Sequence, residues 1–271
     1  MRLLRTIAVT FAQYSRIPVP VFEWDQEDMV YSMSAFPLVG AVIGLLNTGV
    51  FMLCSRYSVP AAASALLMTA VPLIVTGGFH IDGFMDVSDA LSSYADREEK
   101  LRILKDPHIG AFAVIRLALL GLIYIASVII IVSYGSSALQ LSDHGALIVM
   151  TASAGFVLSR CLSAFSVLTF RSAKNEGMLY YEAASAGKGR KANLACVSVW
   201  ALAACICMVC MDPAAGIIEI LTCLCVFVWY RHLSYSRFGG ITGDTSGWLV
   251  TVCETALMAA AAVYTVILQQ L

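Results

Sequence analysis

Residues 76–110 read TGGFHIDGFMDVSDALSSYADREEKLRILKDPHIG and lie between two long apolar runs. This acidic segment contains seven of the eighteen acidic residues of the chain. Asp82, Asp86 and Asp89 follow one another at spacings of four and three residues, which places them within about 60° on one face of a helix. Because like charges on one face repel, the spacing favours a cation bound among them.

Mg²⁺ suits this pattern because it binds carboxylate oxygens and completes its octahedral shell with water and substrate phosphate oxygens. Gly77, Gly78 and Gly83 would let the backbone approach a ligand closely, and His80 adds a titratable side chain. The competing interpretation is a solvated acidic face, where most clustered carboxylates are found. The segment therefore predicts a metal or phosphate site, with the solvated face as the alternative.

Outside the acidic segment the chain is strongly apolar. Of its 271 residues, 59% are hydrophobic and 13% are charged, whereas about a quarter are charged in soluble domains. A bilayer crossing needs about 20 apolar residues, and seven runs approach this length: 36–54, 59–76, 111–133, 145–170, 193–211, 214–230 and 246–268. We predict an all-α fold, a polytopic integral membrane helical bundle of about seven transmembrane helices, with 1–271 as a single domain.

The basic residues predict the orientation of this bundle. Fourteen of the seventeen Lys and Arg residues fall in segments that share a side with the N-terminus, and only Arg56 lies on the opposite side. By the positive-inside rule the N-terminus is cytoplasmic. We expect residues 1–35 to form an interfacial segment and residues 76–110 to lie at the cytoplasmic face. No basic stripe interleaved with aromatic residues appears, so no nucleic-acid partner is predicted.

Charged residues after the three aspartates are further candidates for a site. Lys105 either steadies a phosphate or is an ordinary cytoplasmic-loop cation. Asp106 precedes Pro107 and is typical of the start of a turn, with a role beside Lys105 left open. Arg160 and Arg171 could point into a cytoplasmic anion pocket, because a guanidinium at membrane depth normally faces the protein interior and an anion.

A glycine-rich turn, GGITGDTSG at 239–247, precedes the last apolar run. Glycines beside one carboxylate at a helix start can bind phosphate through backbone N–H groups, here at Gly243, or let Asp244 join a metal site. A structural turn is the alternative. Glu254 lies within the last run and must be protonated, paired or near water.

Taken in order, five segments resemble the cobalamin synthase family, the adenosylcobinamide-GDP ribazoletransferases. They are FAQYSRIPVP at 11–20, FPLVGAVIG at 36–44, TGGFHIDGFMDVSDAL at 76–91, DREEKLRILKDPHIGAFAVI at 96–115 and GGITGD at 239–244. The pattern GGxHxDGxxDxxDA followed by KDxxxGAFxV is highly specific. The chain departs from the family pattern at Thr245 and Ser246, where a small apolar pair is usual.

The resemblance implies a Mg²⁺-dependent membrane transferase. The 3′-hydroxyl of α-ribazole, or of its 5′-phosphate, would attack the phosphate next to the aminopropanol arm of adenosylcobinamide-GDP. GMP would leave, and adenosylcobalamin or its 5′-phosphate would form. The implied location is the cytoplasmic membrane of a bacterium or archaeon, in contact with membrane lipids. A homo-oligomer and association with other cobalamin-assembly enzymes are left open.

The same resemblance suggests roles for the candidate residues. Asp82, Asp86 and Asp89 would hold one or two Mg²⁺, and Asp244 would supply a further ligand. His80 or Asp89 would accept the ribose proton. The residues predicted to bind substrate or its phosphates are Gly77, Gly78, Gly83, Lys105, Asp106, Arg160, Arg171 and Gly243.

Two other functions compete with this hypothesis. A CDP-alcohol phosphotransferase-like enzyme also uses an acidic D-G motif on a membrane helix, but its Ala-Arg after that motif is absent here. A secondary transporter would use Glu254 and Arg116 as intramembrane charges. The two halves of the chain show no repeat, and the polar residues crowd onto one face, which disfavours the transporter.

Overall fold

The computed structural model describes residues 2–20, 23–25, 27–135, 144–174 and 176–270. Within these ranges the chain is helical, and its one extended pairing is a parallel bridge between Ser172 and Ile241. This confirms the predicted all-α fold. The helices are α1 (Arg2–Tyr14), α2 (Ser32–Arg56), α3 (Ala61–Thr76), α4 (Phe79–Ser92), α5 (Arg97–Ile103), α6 (Ala111–Gly135), α7 (His144–Thr169), α8 (Met178–Gly187), α9 (Arg190–Met211), α10 (Pro213–Leu233) and α11 (Gly243–Leu268).

Six helices of the described chain are long and apolar enough to cross a membrane. They are α2, α6, α7, α9, α10 with the π-helical turn Ser234–Phe238, and α11. The helices α3 and α4 meet the same criterion only as a pair, which bends by 92°. This confirms the prediction of about seven spans as six to seven, depending on the short run 59–76. Its helix, α3, has only 16 residues.

Two glycines produce the bend between α3 and α4. Gly77 ends α3 with φ 64° and Gly78 precedes α4 with φ 80°, both in the left-handed region. Only glycine adopts this region without a steric cost from Cβ. The bend therefore follows from the Gly-Gly pair, and it separates α4 from the apolar helix before it.

The centre of the bundle is α7. In its apolar stretch 83% of the residues are buried, compared with 17–50% in the other spanning helices. Its close partner is α2. A Cβ at Gly40 would lie only 2.7 Å from the carbonyl carbon of Phe156. Helices in lipid gain stability from such tight backbone packing, because the lipid tails are as apolar as the side chains. The small residues of α2 thus fix α7 as the core.

Several loops meet at one end of the bundle. Lys105 Nζ is 2.6 Å from Glu176 Oε1, and Arg97 Nε donates to the Phe238 carbonyl at 2.8 Å. Arg16 N donates to the Val75 carbonyl at 2.7 Å, which brings the end of α1 to the end of α3. The segments predicted to share one membrane face therefore lie together.

Candidate active site

The helix α4 presents the predicted carboxylates, and α11 lies directly against it. A Cβ at Gly83 would come 2.7 Å from the Asp244 carbonyl oxygen, so only glycine permits this approach. Thr251 Oγ1 on α11 also donates to the His80 carbonyl at 3.1 Å. These contacts bring the first turn of α11, with Asp244, to the acidic face of α4.

A capping box fixes the start of α11. Thr242 Oγ1 accepts from Thr245 N at 3.1 Å, and Thr245 Oγ1 accepts from Thr242 N at 2.8 Å. Two otherwise unpaired backbone N–H groups are satisfied in this way. The departure from the family pattern at Thr245 therefore has a structural explanation, and the cap holds Asp244 in place.

Asp86 lies in the most negative surroundings of the carboxylates on α4. It stands at the end of the bundle, beside the start of α11. Its pKa is raised to about 7, first by burial and then by the neighbouring Asp244, Asp82 and Asp89, whereas Lys174 opposes the shift. Repulsion among like charges disfavours the ionised form. The group carries more negative charge than one lysine neutralises, so its carboxylate oxygens suit a hard divalent cation.

The individual carboxylates differ in what they contact. No three Asp, Glu, His or Cys side chains in the described ranges already stand as a metal-ligand set. Asp82 is exposed, whereas Asp89 accepts hydrogen bonds from Gly110 N at 2.5 Å and Ala113 N at 3.0 Å. Both oxygens of Asp89 therefore cap the start of α6. Its roles as metal ligand and proton acceptor stay predictions.

A cavity of about 590 Å³ lies beside these carboxylates. Asp82, Asp244, Lys105 and Lys174 all line it. Burial lowers the pKa of Lys174, and the nearby Asp244 opposes this shift. We call this space the charged cavity. Carboxylates and lysines together could bind a metal ion and the phosphates that it neutralises.

The remaining glycines lie around the charged cavity and beside it. Gly83 and Gly243 line the charged cavity itself. Gly77 and Gly78 line a neighbouring cavity of about 520 Å³, which also contains Arg16 and Asp82. All four glycines thus lie within reach of the spaces around α4.

Arg160 and Arg171, which were predicted to point into an anion pocket, have different surroundings in the structure. Arg160 is fully buried and forms an ion pair with Glu254 of α11. Arg171, after the end of α7, donates through Nη2 to the Gly239 carbonyl at 2.9 Å. The two guanidinium groups differ because Arg160 lies within the helix, where Glu254 neutralises it. The buried Glu254 is thereby paired, one of the states expected for it.

Two further predicted residues occupy distinct positions. Asp106 Oδ1 accepts from His108 N at 2.9 Å, which confirms the predicted turn. His80 is buried on the side of α4 that faces α7 and α11, and it lines a cavity together with Arg160 and Glu254. Asp82, two positions further along α4, is exposed on a different face of that helix.

Sequence patterns assign no site role to Lys174 or Arg16, which the structure places at these cavities. Lys174 belongs to a basic loop whose spacing carries no distinctive signal. Arg16 lies within FAQYSRIPVP, one of the segments that carry the family resemblance. That position was the one sequence signal that could have indicated a site role for Arg16.

Comparison with known proteins assigns the family. The profile described as cobalamin-5-phosphate synthase matches residues 6–262. A relative in Lachnoclostridium phytofermentans, named adenosylcobinamide-GDP ribazoletransferase, is 36% identical over 263 residues, which cover 97% of this chain and 94% of that protein. Proteins with the same name in Clostridium perfringens strain SM101 and Pseudomonas syringae are 30% and 31% identical.

The coverage is high in these relatives too. The matched regions span 92% of this chain and 94% of the Clostridium protein, and 86% of this chain and 88% of the Pseudomonas protein. No solved structure matches the chain. These names agree with the resemblance, and not with a CDP-alcohol phosphotransferase or a transporter. The chain belongs to the cobalamin-5-phosphate synthase family.

Proposed function

We propose that this chain joins adenosylcobinamide-GDP to α-ribazole or α-ribazole 5′-phosphate and releases GMP. The relatives are named for this transfer. A bond forms between the ribazole 3′-oxygen and the phosphorus next to the aminopropanol arm. The bond from that phosphorus to the bridging oxygen breaks, the oxygen leaves with GMP, and a base takes the hydroxyl proton. The products are adenosylcobalamin or its 5′-phosphate, and GMP.

The observation that carries this proposal is the charged cavity. Phosphoryl-type transfer needs charge neutralisation and positioning more than a covalent nucleophile. Asp82 of α4 and Asp244 of α11 line the charged cavity together with Lys105 and Lys174. The lysines are placed to bind the phosphates of the nucleotide.

We further propose Mg²⁺ as the cofactor, held by Asp82, Asp86 and Asp244. When bound, it would neutralise charge on the pyrophosphate and on the departing GMP. After burial, the negative charges of Asp244, Asp82 and Asp89 contribute to the raised pKa of Asp86, and this repulsion supports the assignment because a cation would relieve it. Asp89 would contribute through its charge and by placing the start of α6.

His80 is the better supported of the two predicted proton acceptors. Its Nε2 has no hydrogen-bond partner within the described chain, whereas both oxygens of Asp89 accept backbone hydrogen bonds. A general base must have a free lone pair within reach of the hydroxyl. We therefore assign the proton to His80 and a positioning role to Asp89.

We also propose that the protein lies in the cytoplasmic membrane of a bacterium, with the charged cavity open to the cytoplasm. Nucleotide substrates are present on that side, and fourteen of the seventeen basic residues fall in the segments assigned to it. The contacts of Lys105 and Arg97 bring such segments together at one end of the bundle. The matched relatives are bacterial proteins.

GMP release by the purified protein tests the proposed function. With Mg²⁺, α-ribazole and adenosylcobinamide-GDP, we expect GMP and adenosylcobalamin to form together. Asp82→Asn and Asp86→Asn should each lower the rate at least about a hundredfold. The reason is that a neutral amide lacks the negative charge that binds and neutralises the cation. Glu98→Gln, at an exposed acidic residue of α5, is the matched control and should retain wild-type activity.

A stability measurement separates loss of chemistry from loss of fold. In EDTA, Asp86→Asn should melt at or above the wild-type temperature, because it removes one of several repelling charges. Near-normal Mg²⁺-dependent turnover in both Asp82→Asn and Asp86→Asn would rule out the proposed metal site.

A further inference from the structure

A second cavity of about 330 Å³ lies among α3, α4, α6, α7 and α11. We call it the apolar cavity, because hydrocarbon side chains such as Leu73, Leu117 and Leu120 form most of its walls. A space of this size accommodates a small ring system. The charged cavity does not include these residues, and the proposed chemistry has not used them.

The apolar cavity also contains buried polar atoms that need a partner. Arg160, Glu254 and His80 line it, and Arg160 is fully buried. Arg160 Nη1 serves the ion pair with Glu254 and also donates to Ser159 Oγ at 3.0 Å. In the described chain, Arg160 Nε, Arg160 Nη2 and His80 Nε2 have no hydrogen-bond partner. Buried polar atoms are normally satisfied, so the two Arg160 donors indicate a ligand with an acceptor atom.

The apolar cavity lies next to the proposed reaction centre. It shares Thr76 and Ile81 with the cavity that contains Arg16 and Asp82. A ligand with an apolar ring at one end and a hydroxyl at the other could therefore occupy the apolar cavity and extend its hydroxyl toward Asp82.

We infer that the apolar cavity binds the base of the ribazole substrate, an inference that rests on the proposed function. Ribazole is a benzimidazole riboside, and its base is a flat, largely apolar bicycle. The ring nitrogen that is not attached to the ribose accepts a hydrogen bond, which Arg160 can donate. The base thus matches both the hydrocarbon walls and the unpaired donors.

The other parts of the substrates match the apolar cavity less well. The guanine of adenosylcobinamide-GDP carries several donors and acceptors, which hydrocarbon walls would leave unpaired. The corrin ring is far larger than the space. A lipid acyl chain would fill it but has no acceptor for Arg160. The two substrates would then approach the metal site from different cavities.

A cavity-filling variant tests this inference. Gly121 lines the apolar cavity, and a Cβ added there meets no atom within 4 Å. Gly121→Leu should therefore fill the space and raise the KM for α-ribazole about tenfold or more. The KM for adenosylcobinamide-GDP and the rate at saturating α-ribazole should stay near wild type.

Gly49→Leu is the matched control. Gly49 lies on α2, and a Cβ there likewise meets no atom within 4 Å. It should leave the KM of both substrates unchanged. Equal effects of Gly121→Leu on both substrates, or none on α-ribazole, would overturn the inference.

A second variant acts in the opposite direction. Leu117→Ala enlarges the same cavity and should improve kcat/KM for a riboside with a bulkier tricyclic base relative to α-ribazole. If Gly121→Leu does not fold, an unchanged preference in Leu117→Ala rejects the inference.

Direct binding separates this inference from the proposed function. Equilibrium dialysis of radiolabelled α-ribazole with the purified protein, without adenosylcobinamide-GDP, should show binding that Gly121→Leu weakens and Gly49→Leu preserves. A wild-type protein that forms no GMP would reject the proposed function alone. If the protein forms GMP but Gly121→Leu leaves its affinity for α-ribazole unchanged, only the base site is rejected.

Discussion

Glu182 on α8 shows how one buried carboxyl can tie separate helices together. Its side chain is 3% exposed. Oε1 accepts hydrogen bonds from the Tyr14 hydroxyl, from Gln13 Nε2 at 3.3 Å and from Ser32 Oγ at 3.4 Å. Burial raises the pKa of Glu182 to about 7, and the hydrogen bond from Tyr14 opposes that shift. The protonated acid therefore joins α8 to α1 and α2.

The raised pKa of Glu182 makes stability depend on pH. The folded protein holds this proton up to about pH 7, above the ordinary value of 4.5. The contribution is therefore fully present below about pH 4.5 and is lost as pH rises through 7. Relative to Glu182→Gln, which keeps an uncharged acceptor, the wild type should lose up to about 3 kcal/mol between pH 5 and 8.

The measurement is the melting temperature of both proteins in detergent across this range of pH. Glu98→Gln should follow the wild-type pH dependence, because Glu98 is exposed. Parallel curves for the wild type and Glu182→Gln would show that Glu182 does not hold its proton in the folded protein.

At the scale of elements, Asp89 of α4 sets where α6 begins. The N–H groups of Gly110 and Ala113 at the start of a helix lack intrahelical partners, and Asp89 accepts both. In EDTA, Asp89→Ala should destabilise the protein by about 0.5–2 kcal/mol, the usual cost of losing a cap. Asp89→Asn keeps one acceptor oxygen and should cost less.

Thermal denaturation in detergent measures both Asp89 variants, with Asp82→Ala as the comparison. Asp82 is exposed and accepts none of the hydrogen bonds found for Asp89, so its removal should not lower the melting temperature. If Asp89→Ala has the same melting temperature as the wild type, the two hydrogen bonds to α6 contribute nothing to stability.

Local spacing predicted the elements better than it predicted their partners. Helical periodicity placed Asp82, Asp86 and Asp89 on one helix, and the structure confirms that helix as α4. It could not show that Asp89 caps α6, because the contact joins residues 21 positions apart in sequence. Local spacing could not predict the pairing of Arg160 with Glu254 either, since these residues come from α7 and α11.

For the whole molecule, the path of α3 decides the number of crossings. The start of α3 follows the end of α2 after Arg56. Its other end returns to α1, where Arg16 N donates to the Val75 carbonyl. Although α3 has only 16 residues, it therefore runs from one end of the bundle to the other. On this path we expect the α3–α4 pair to form one crossing, which would make seven.

Contacts at the opposite end of the bundle agree with this path. His144 Nε2 lies 2.6 Å from Asp212 Oδ2, which joins the start of α7 to the start of α10. Tyr264 Oη, near the end of α11, lies 3.4 Å from Asp212 Oδ1. The end of α11 thus lies opposite the charged cavity.

Seven crossings predict that the C-terminus and the charged cavity lie on opposite sides of the membrane. With the cavity in the cytoplasm, alkaline phosphatase fused after residue 270 should be active and green fluorescent protein fused there should be dark. The same reporters fused after Gly177, on the cavity side, should give the reverse pattern. Fluorescence from the fusion after residue 270 would mean an even number of crossings, with the α3–α4 pair as a re-entrant loop rather than a span.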